Sequence, residues 1–545
     1  MLNKNNAFVR QAAILAGAGL ITKLLGFAYR VALTGVIGDY GIGIGGIAFY
    51  IYMFFWVMSS AGLPVAISKM VSERVAGGRP DEARRVFHIA LFVAALLGVT
   101  FSLILFFGSG LIVTLMGWPR SYYALLSLTP TVFFVAIMAV FRGYFQGMQN
   151  TVPTALSQLI EQLFNAVFSV LLALLMLRHT LPYEYGGDPV AMGAAGGQLG
   201  TSVGAFAGLA FILGYYLYKR RHINKSIHFY SIGNTDKKQS IGSIVRELAF
   251  ITIPIIMGTA IFTISNIIDG IMVRPRLIAS GIVSDSVISE LVGQLVGKYV
   301  TITNVPVMVS TALAIAAIPS IAASIVKREH QAVTEKTNTA MRLSMLITIP
   351  AAVGIGVLAN PILRLLFPTQ PGGGSLLMVG SISIIFLALY QILAGMLQAI
   401  GKLHIPVIAA FIGASLKIPL NYVLIANPNL RIVGAVISTI VCYVVASAIC
   451  WYFFTKHVKF KINLTSTFIK PAIAAFGMGL GIFVAYYTAY FLTGVNALAT
   501  ILSVLIGMAL YVSFLLLIGG LRKSDVQLLP AGHRICAALE RRHWL

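Results

Sequence analysis

Apolar runs of 23 to 38 residues recur along the chain, broken by short polar stretches. VFFVAIMAV (132–140) before RGYFQGMQN and NAVFSVLLALLML (165–177) after it are typical. A spanning helix needs about 20 such residues, whereas a barrel strand shows alternating segments of about 10. The bilayer admits only helices or closed barrels, because every backbone polar group must be satisfied internally. The pattern therefore predicts an all-α polytopic membrane protein. Its fourteen spans lie near 11–37, 43–67, 86–112, 122–148, 154–177, 189–218, 247–272, 288–325, 340–366, 374–399, 403–425, 433–455, 468–492 and 497–521.

The chain also repeats itself. GLPVAISKMVSERVAGGRPDEARR (62–85) matches AIPSIAASIVKREHQAVTEKTNTA (317–340), with Pro64 on Pro319 and Val71 on Val326. RGYFQGMQNTVP (142–153) matches AGMLQAIGKLHIP (394–406), with Gly143 on Gly395, Gln146 on Gln398 and, after one gap, Pro153 on Pro406. Spans 1–6 and 7–12 thus read as two copies of one six-helix unit. An even number of spans per copy makes the copies parallel, an arrangement found in transporters with the substrate site between the halves. The expected division is a first lobe over 1–218, a cytoplasmic amphipathic linker over 219–246, a second lobe over 247–456, and two extra helices with a basic tail over 457–545.

Charge sets the orientation. The N-terminus, the even-numbered loops with the span ends beside them, and the C-terminus hold 29 of the 39 Lys and Arg. The odd-numbered loops hold five: Arg120, Arg178, Arg274, Arg276 and Arg431. Such a bias predicts cytoplasmic termini. It also accounts for the net charge of +23 without a nucleic-acid partner. The basic, apolar N-terminus reads as the first span and not as a removed signal peptide. Cys442, Cys450 and Cys536 have no metal-ligand spacing.

No enzyme constellation is present: neither a phosphate-cradling GxxxxGKS/T loop nor HExxH occurs. His179, Glu184 and Asp188 form the best extracytoplasmic cluster and read as a solvated loop. What remains is a set of ionisable residues inside spans, each costly in hydrocarbon and expected to face a cavity. Lys23 and Arg30 lie about two turns apart on one face of span 1. Lys298 lies in span 8, Arg364 in span 9 and Lys417 in span 11. Glu161 is in span 5, Asp269 near the end of span 7, and Asp39 just beyond span 1. Cations outnumbering carboxylates favour an anion, and phosphate suits Arg and Lys. Asn266, Gln294 and Asn304 add polar groups, for a cavity or for inter-helix bonding. Glycine, 52 of 545 residues, suits close-packed helices that slide or bend.

ITKLLGFAYR (21–30), GLPVAISKMVSE (62–73) and FRGYFQGMQNTVPTALSQLIEQ (141–162) resemble the polysaccharide-exporter branch of the multidrug/oligosaccharidyl-lipid/polysaccharide superfamily, within it the stage V sporulation protein B group and the lipid II flippase MurJ. The resemblance implies two six-helix lobes around a central cavity, with two further helices forming a groove for a lipid tail. It implies a substrate that is an undecaprenyl-diphosphate-linked saccharide, above all lipid II, moved from the inner to the outer leaflet of the bacterial cytoplasmic membrane. It places Lys23 at an arginine position before the LGF motif, and Arg30 one residue off the second. Span 2 departs from the pattern in carrying no cation.

The expectation is therefore a non-enzymatic flippase working by alternating access. Lys23, Arg30, Lys298 and Arg142 would hold the headgroup. Glu161, Asp269, Asp39, Asn266, Gln294 and Asn304 would serve as coupling or cavity polar groups. No cofactor or metal is expected; sodium, proton, chloride or the membrane potential stay open as the driving force. Lipid-linked saccharide, membrane lipids and cell-wall synthesis proteins are the expected partners. A cation-coupled drug antiporter and a non-transporting scaffold of wall synthesis or sporulation are the alternatives.

Overall fold

The computed structural model describes residues 2–178, 188–230, 239–326, 329–458 and 463–521. Among them the regular elements are all helical. They are α1 (Leu2–Ser60), α2 (Leu63–Ala76), α3 (Pro80–Leu115), α4 (Tyr122–Gly147), α5 (Val152–Met176), α6 (Pro189–Tyr230), α7 (Ile241–Ala279), α8 (Asp285–Gly293), α9 (Val300–Val326), α10 (His330–Val357), α11 (Ala359–Leu366), α12 (Gly374–Gly380), α13 (Ser383–Ala399), α14 (His404–Leu424), α15 (Val433–Val458), α16 (Lys470–Thr493) and α17 (Asn496–Leu517). Eleven helices among the described residues are long and apolar enough to cross a membrane, twelve if α12 and α13, bent by 44°, count as one span. Helix α1 has 59 residues, about twice a span, and breaks at Gly38 (φ 66°, ψ 177°), a conformation open to glycine. Residues on either side of that break supply spans 1 and 2. The chain is a multi-pass, all-α membrane protein, and its helices accord with fourteen spans.

The helices pack as two compact units, one of residues 1–274 with 284–293, the other of 275–283 with 294–545. Span 7 opens the second copy in sequence, yet nearly all of it packs in the first unit, as does α8. Trp118 Nε1 donates to the Gly270 carbonyl of α7 at 2.8 Å, and α8 closely approaches the break in α1. A Cβ at Gly43 would sit 1.9 Å from the Ser289 carbonyl oxygen, and one at Gly293 would sit 1.8 Å from that of Asp39.

In the first unit, α5 and α6 meet along Gly196, Gly200, Gly204 and Gly208, one residue per helical turn. A Cβ on Gly200 would lie 2.2 Å from the Ser169 backbone nitrogen. Without a hydrophobic drive between helices in lipid, such small-residue stripes supply the close packing that holds them together. At one end, Phe87 gathers Tyr144 (4.6 Å between centroids), Tyr216 (5.2 Å) and Phe141 (5.3 Å). Beside this cluster, buried Arg74 of α2 binds Glu247 of α7 at 2.7 Å and donates to Gln239 Oε1 at 2.6 Å, so the chain entering α7 is fastened to α2.

In the second unit, α16 and α17 pack on α10 through Met345, Ile349, Ala474, Met478 and Leu515. Tyr511 Oη donates to the Leu346 carbonyl (2.9 Å), and buried Arg342 donates to that of Gly520 (2.7 Å), beyond the end of α17. A cation at a helix C-terminus meets the unsatisfied carbonyls and the negative end of the dipole. Helix α6 runs on to Tyr230 through the first part of the expected linker.

At one matched place in the repeat the two copies end a helix in the same way. After α4, Gln149 N–H bonds to Gln146 O (3.0 Å) and Asn150 N–H to Phe145 O (3.0 Å). After α13, Gly401 N–H bonds to Gln398 O (3.0 Å) and Lys402 N–H to Leu397 O (2.8 Å). The donors and acceptors differ by 252 throughout.

Candidate functional site

The charged groups inside the first unit occupy three places. The first is on α1. Lys23 is exposed, and Arg30, two turns on, is half-buried. The guanidinium of Arg30 stands 6.0 Å from the Phe49 ring centroid, in a cleft lined also by Tyr29, Leu33, Gly45 and Gln198. The break at Gly38 lets residues of both halves of α1 line one cleft, and α6 closes the side, where Gln198 Nε2 donates to the Gly45 carbonyl at 3.1 Å. An aromatic face offers a cation partial compensation for lost water and leaves its N–H donors available. Among the described residues neither Lys23 nor Arg30 makes an ion pair, whereas Arg74, Arg142 and Arg274 each do.

The second place joins α4 and α5. Arg142 Nη2 binds Glu161 Oε2 at 2.7 Å, and its Nε donates to Ser157 Oγ at 2.9 Å. Gly208 of α6 walls the pair, its notional Cβ 3.0 Å from that of Glu161. Arg142, expected as a headgroup ligand, and Glu161, expected as a coupling residue, are thus each other's partner here.

The third place is beside the break in α1. Tyr40 Oη donates to Asp188 Oδ2 at 2.5 Å and accepts from Arg120 Nη1 at 2.6 Å. Asp188 also accepts the Val190 N–H (2.9 Å) at the start of α6. Asp188 therefore belongs to a packed network and not to a solvated cluster; His179 and Glu184, expected beside it, lie outside the described residues. Asp39 and Asp269 are buried, at 1% and 7% exposure, and Asn266 is half-buried. No group of three or more His, Cys, Asp or Glu among the described residues could hold a metal.

In the second unit, Lys298 is 1% exposed. It sits on a π-helical turn (Gln294–Tyr299), donates to the carbonyls of Gln370 and Gly372, and lies 5.3 Å from the Phe367 ring centroid. The ammonium, expected to face a headgroup, is held here by backbone oxygens of its own unit. Gln294 packs against Gly372 and Gly373 of the same loop. Asn304 and Arg364 are exposed and Lys417 is buried.

Sequence reasoning did not single out Phe49, Gln198, Ser157 or Tyr40. Ser157 had a signal, since it precedes Glu161 by one helical turn and so shares its face. Phe49 and Gln198 had none, because the break in α1 and the glycines of α6 bring them to Arg30.

The family model described as polysaccharide biosynthesis protein matches residues 8–325, and the one described as MatE matches residues 291–423. Stage V sporulation protein B of Bacillus subtilis (strain 168) is 29% identical, over 79% of this chain and 80% of that protein. The lipid II flippase MurJ of the same organism is 23% identical, over 97% of this chain and 99% of that protein. Among solved structures, lipid II flippase MurJ in an inward closed conformation aligns with a TM-score of 0.67 at 16% identity, covering 93% of this chain and 98% of that one. An inward-facing multidrug resistance MATE family transporter aligns with a TM-score of 0.64 at 16% identity, covering 80% and 94%. The fold is that of these transporters.

Proposed function

The chain belongs to the polysaccharide biosynthesis protein family, and from that premise we propose that it is a flippase of the bacterial cytoplasmic membrane for a polyprenyl-diphosphate-linked saccharide, lipid II before others. The observation that carries the reading is the pair of cations on α1, Lys23 and Arg30, without an ion-pair partner among the described residues. A charge inside a span costs about 2.5 to 3.5 kcal/mol on insertion scales. A chain that keeps two on one helical face, one of them over an aromatic ring, has a use for an anion there. The relative named as a lipid II flippase supports the substrate class.

In the proposed cycle the headgroup diphosphate meets Lys23 and Arg30 from the cytoplasmic side, and the polyprenyl tail stays in lipid. Arg30 supplies a planar fork for phosphate oxygens and Lys23 a point charge. The lobes then rock to expose the headgroup outward. Nothing covalent happens, so the side chains bind and release and catalyse no reaction. Both termini are proposed to be cytoplasmic, as the charge bias requires.

Native mass spectrometry of the detergent-purified protein tests this. A co-purifying polyprenyl-diphosphate sugar, lost in Lys23→Ala/Arg30→Ala, supports the proposal and names the glycan by mass. No such lipid, even after lipid II is added, refutes it and favours the cation-coupled antiporter. The MatE match over 291–423 keeps that second reading in view.

A further inference from the structure

Arg142, Ser157 and Glu161 form a polar triad inside the first lobe, and the second copy of the repeat is an internal control for it. The offset of 252 carries Arg142 to Ala394. Past the single gap, an offset of 253 carries Ser157 to Ala410 and Glu161 to Ala414. All three alanines are buried, at 8%, 3% and 5% exposure. Both copies leave the first helix of the hairpin through the same pair of helix-end bonds, as several other helices of the chain also do. One copy of the α4–α5 hairpin is therefore built on two charges and a hydroxyl, and the other on three methyl groups. A hairpin at this place in the repeat can therefore be built without the charges.

Burying an ion pair costs several kcal/mol of desolvation per ion, and apolar replacements of a buried pair are often neutral or stabilising. The lobe that retains the pair gains something other than stability. The pair is also not sealed. The Glu161 side chain is 28% exposed and that of Arg142 13% exposed. Glu161 reaches the guanidinium through Oε2 alone at 2.7 Å, and Ser157 takes Nε. A guanidinium fork binds carboxylate and phosphate with the same geometry, and phosphate brings more charge.

We infer that Arg142 is a masked anion site: Glu161 is a tethered carboxylate that holds the guanidinium while the lobe is empty and yields it to the phosphate oxygens of an arriving diphosphate. This rests on the flippase reading as to the source of the diphosphate, though not as to the chemistry of the exchange. The ligand is a phosphate-type anion, whether carried on a polyprenyl lipid or free. Ser157 is a positioning residue that keeps the guanidinium in plane during the exchange.

Equilibrium binding to the full-length protein in detergent tests it, with lipid II and inorganic diphosphate as separate probes. Glu161→Gln keeps the shape and removes the competing charge, so its affinity should rise tenfold or more. Arg142→Gln should lower affinity at least tenfold, and the double variant should resemble Arg142→Gln. A rise for both probes, or for lipid II alone, supports the exchange at a lipid-linked diphosphate. A rise for inorganic diphosphate alone keeps the anion site and removes the lipid as its source. Unchanged affinity for both in Glu161→Gln overturns the inference. The variant Arg142→Ala/Ser157→Ala/Glu161→Ala, which copies the second lobe, should fold with a melting temperature near that of the parent and lose the Arg142-dependent binding. Its failure to fold would show the triad to be structural and would equally overturn the proposal.

Discussion

Gln149 and Gly401 occupy the same place in the two copies of the repeat, each just past a helix end with a left-handed backbone, φ 56° and φ 77°. The hydrogen bonds around them match donor for donor. One copy uses glycine, for which this conformation costs little, and the other tolerates a side chain there. A Cβ on Gly401 would meet nothing within 4 Å, so backbone strain alone should decide a substitution. Gly401→Gln is expected to cost about 1 to 2 kcal/mol, and Gln149→Gly to raise stability slightly. Thermal unfolding of both variants in detergent checks the sign of each.

The α5–α6 stripe should be intolerant of any side chain. At Gly200 even alanine would put a methyl carbon 2.2 Å from the Ser169 nitrogen. Separating the helices should cost about 1 to 3 kcal/mol or more. Gly200→Ala is expected to reduce the yield of monodisperse protein on size exclusion. A yield equal to that of the parent would contradict the close approach.

Lys298 should act on stability before it acts on transport. Its replacement by methionine leaves the Gln370 and Gly372 carbonyls without their cationic donor, at a cost of about 1.5 to 3 kcal/mol for charge-assisted bonds. The melting temperature of Lys298→Met should fall in the absence of any substrate, and lipid II affinity at a temperature where it is folded should hold. Retained stability with lost affinity would return Lys298 to the headgroup.

Arg74 should be replaceable only by arginine-like geometry. Glu247 takes both its oxygens to the Arg74 fork, at 2.7 and 3.4 Å. Arg74 is buried and Glu247 part-exposed, so removing the arginine should cost less than the about 3 to 5 kcal/mol of a fully buried pair, and a lysine cannot reproduce the fork. Both Arg74→Ala and Arg74→Lys are expected to melt well below the parent. Undiminished melting temperatures in both would refute the fastening of α7 to α2.

The spans and the repeat were legible in the sequence because they rest on runs of apolar residues and on self-similarity, which need no partner to be recognised. The site was legible in part. Lys23, Arg30, Arg142 and Glu161 stand out as charges in apolar surroundings, but the pairing of Arg142 with Glu161 depends on how α4 meets α5. Lys298 shows the harder case. Its partners are backbone carbonyls of Gln370 and Gly372, and a carbonyl has no letter in the sequence. Arg74 and Glu247 lie 173 residues apart with no periodic pattern to connect them. The placement of α8 in the first unit goes with glycines whose significance appears only when Gly43 meets Ser289 and Gly293 meets Asp39.

That placement sets an order of events during synthesis. The packing of the first unit draws on residues up to Gly293, well past Tyr230 where α6 ends. Chains emerge at about 5 to 20 residues per second and usually fold domain by domain from the N-terminus. Here the first six helices must wait in the membrane, for some seconds, until the start of the second copy has been made and inserted. A chain severed between 231 and 238 would give an N-terminal piece lacking a helix that its own unit needs, and coexpression of the missing piece should be required for either half to accumulate.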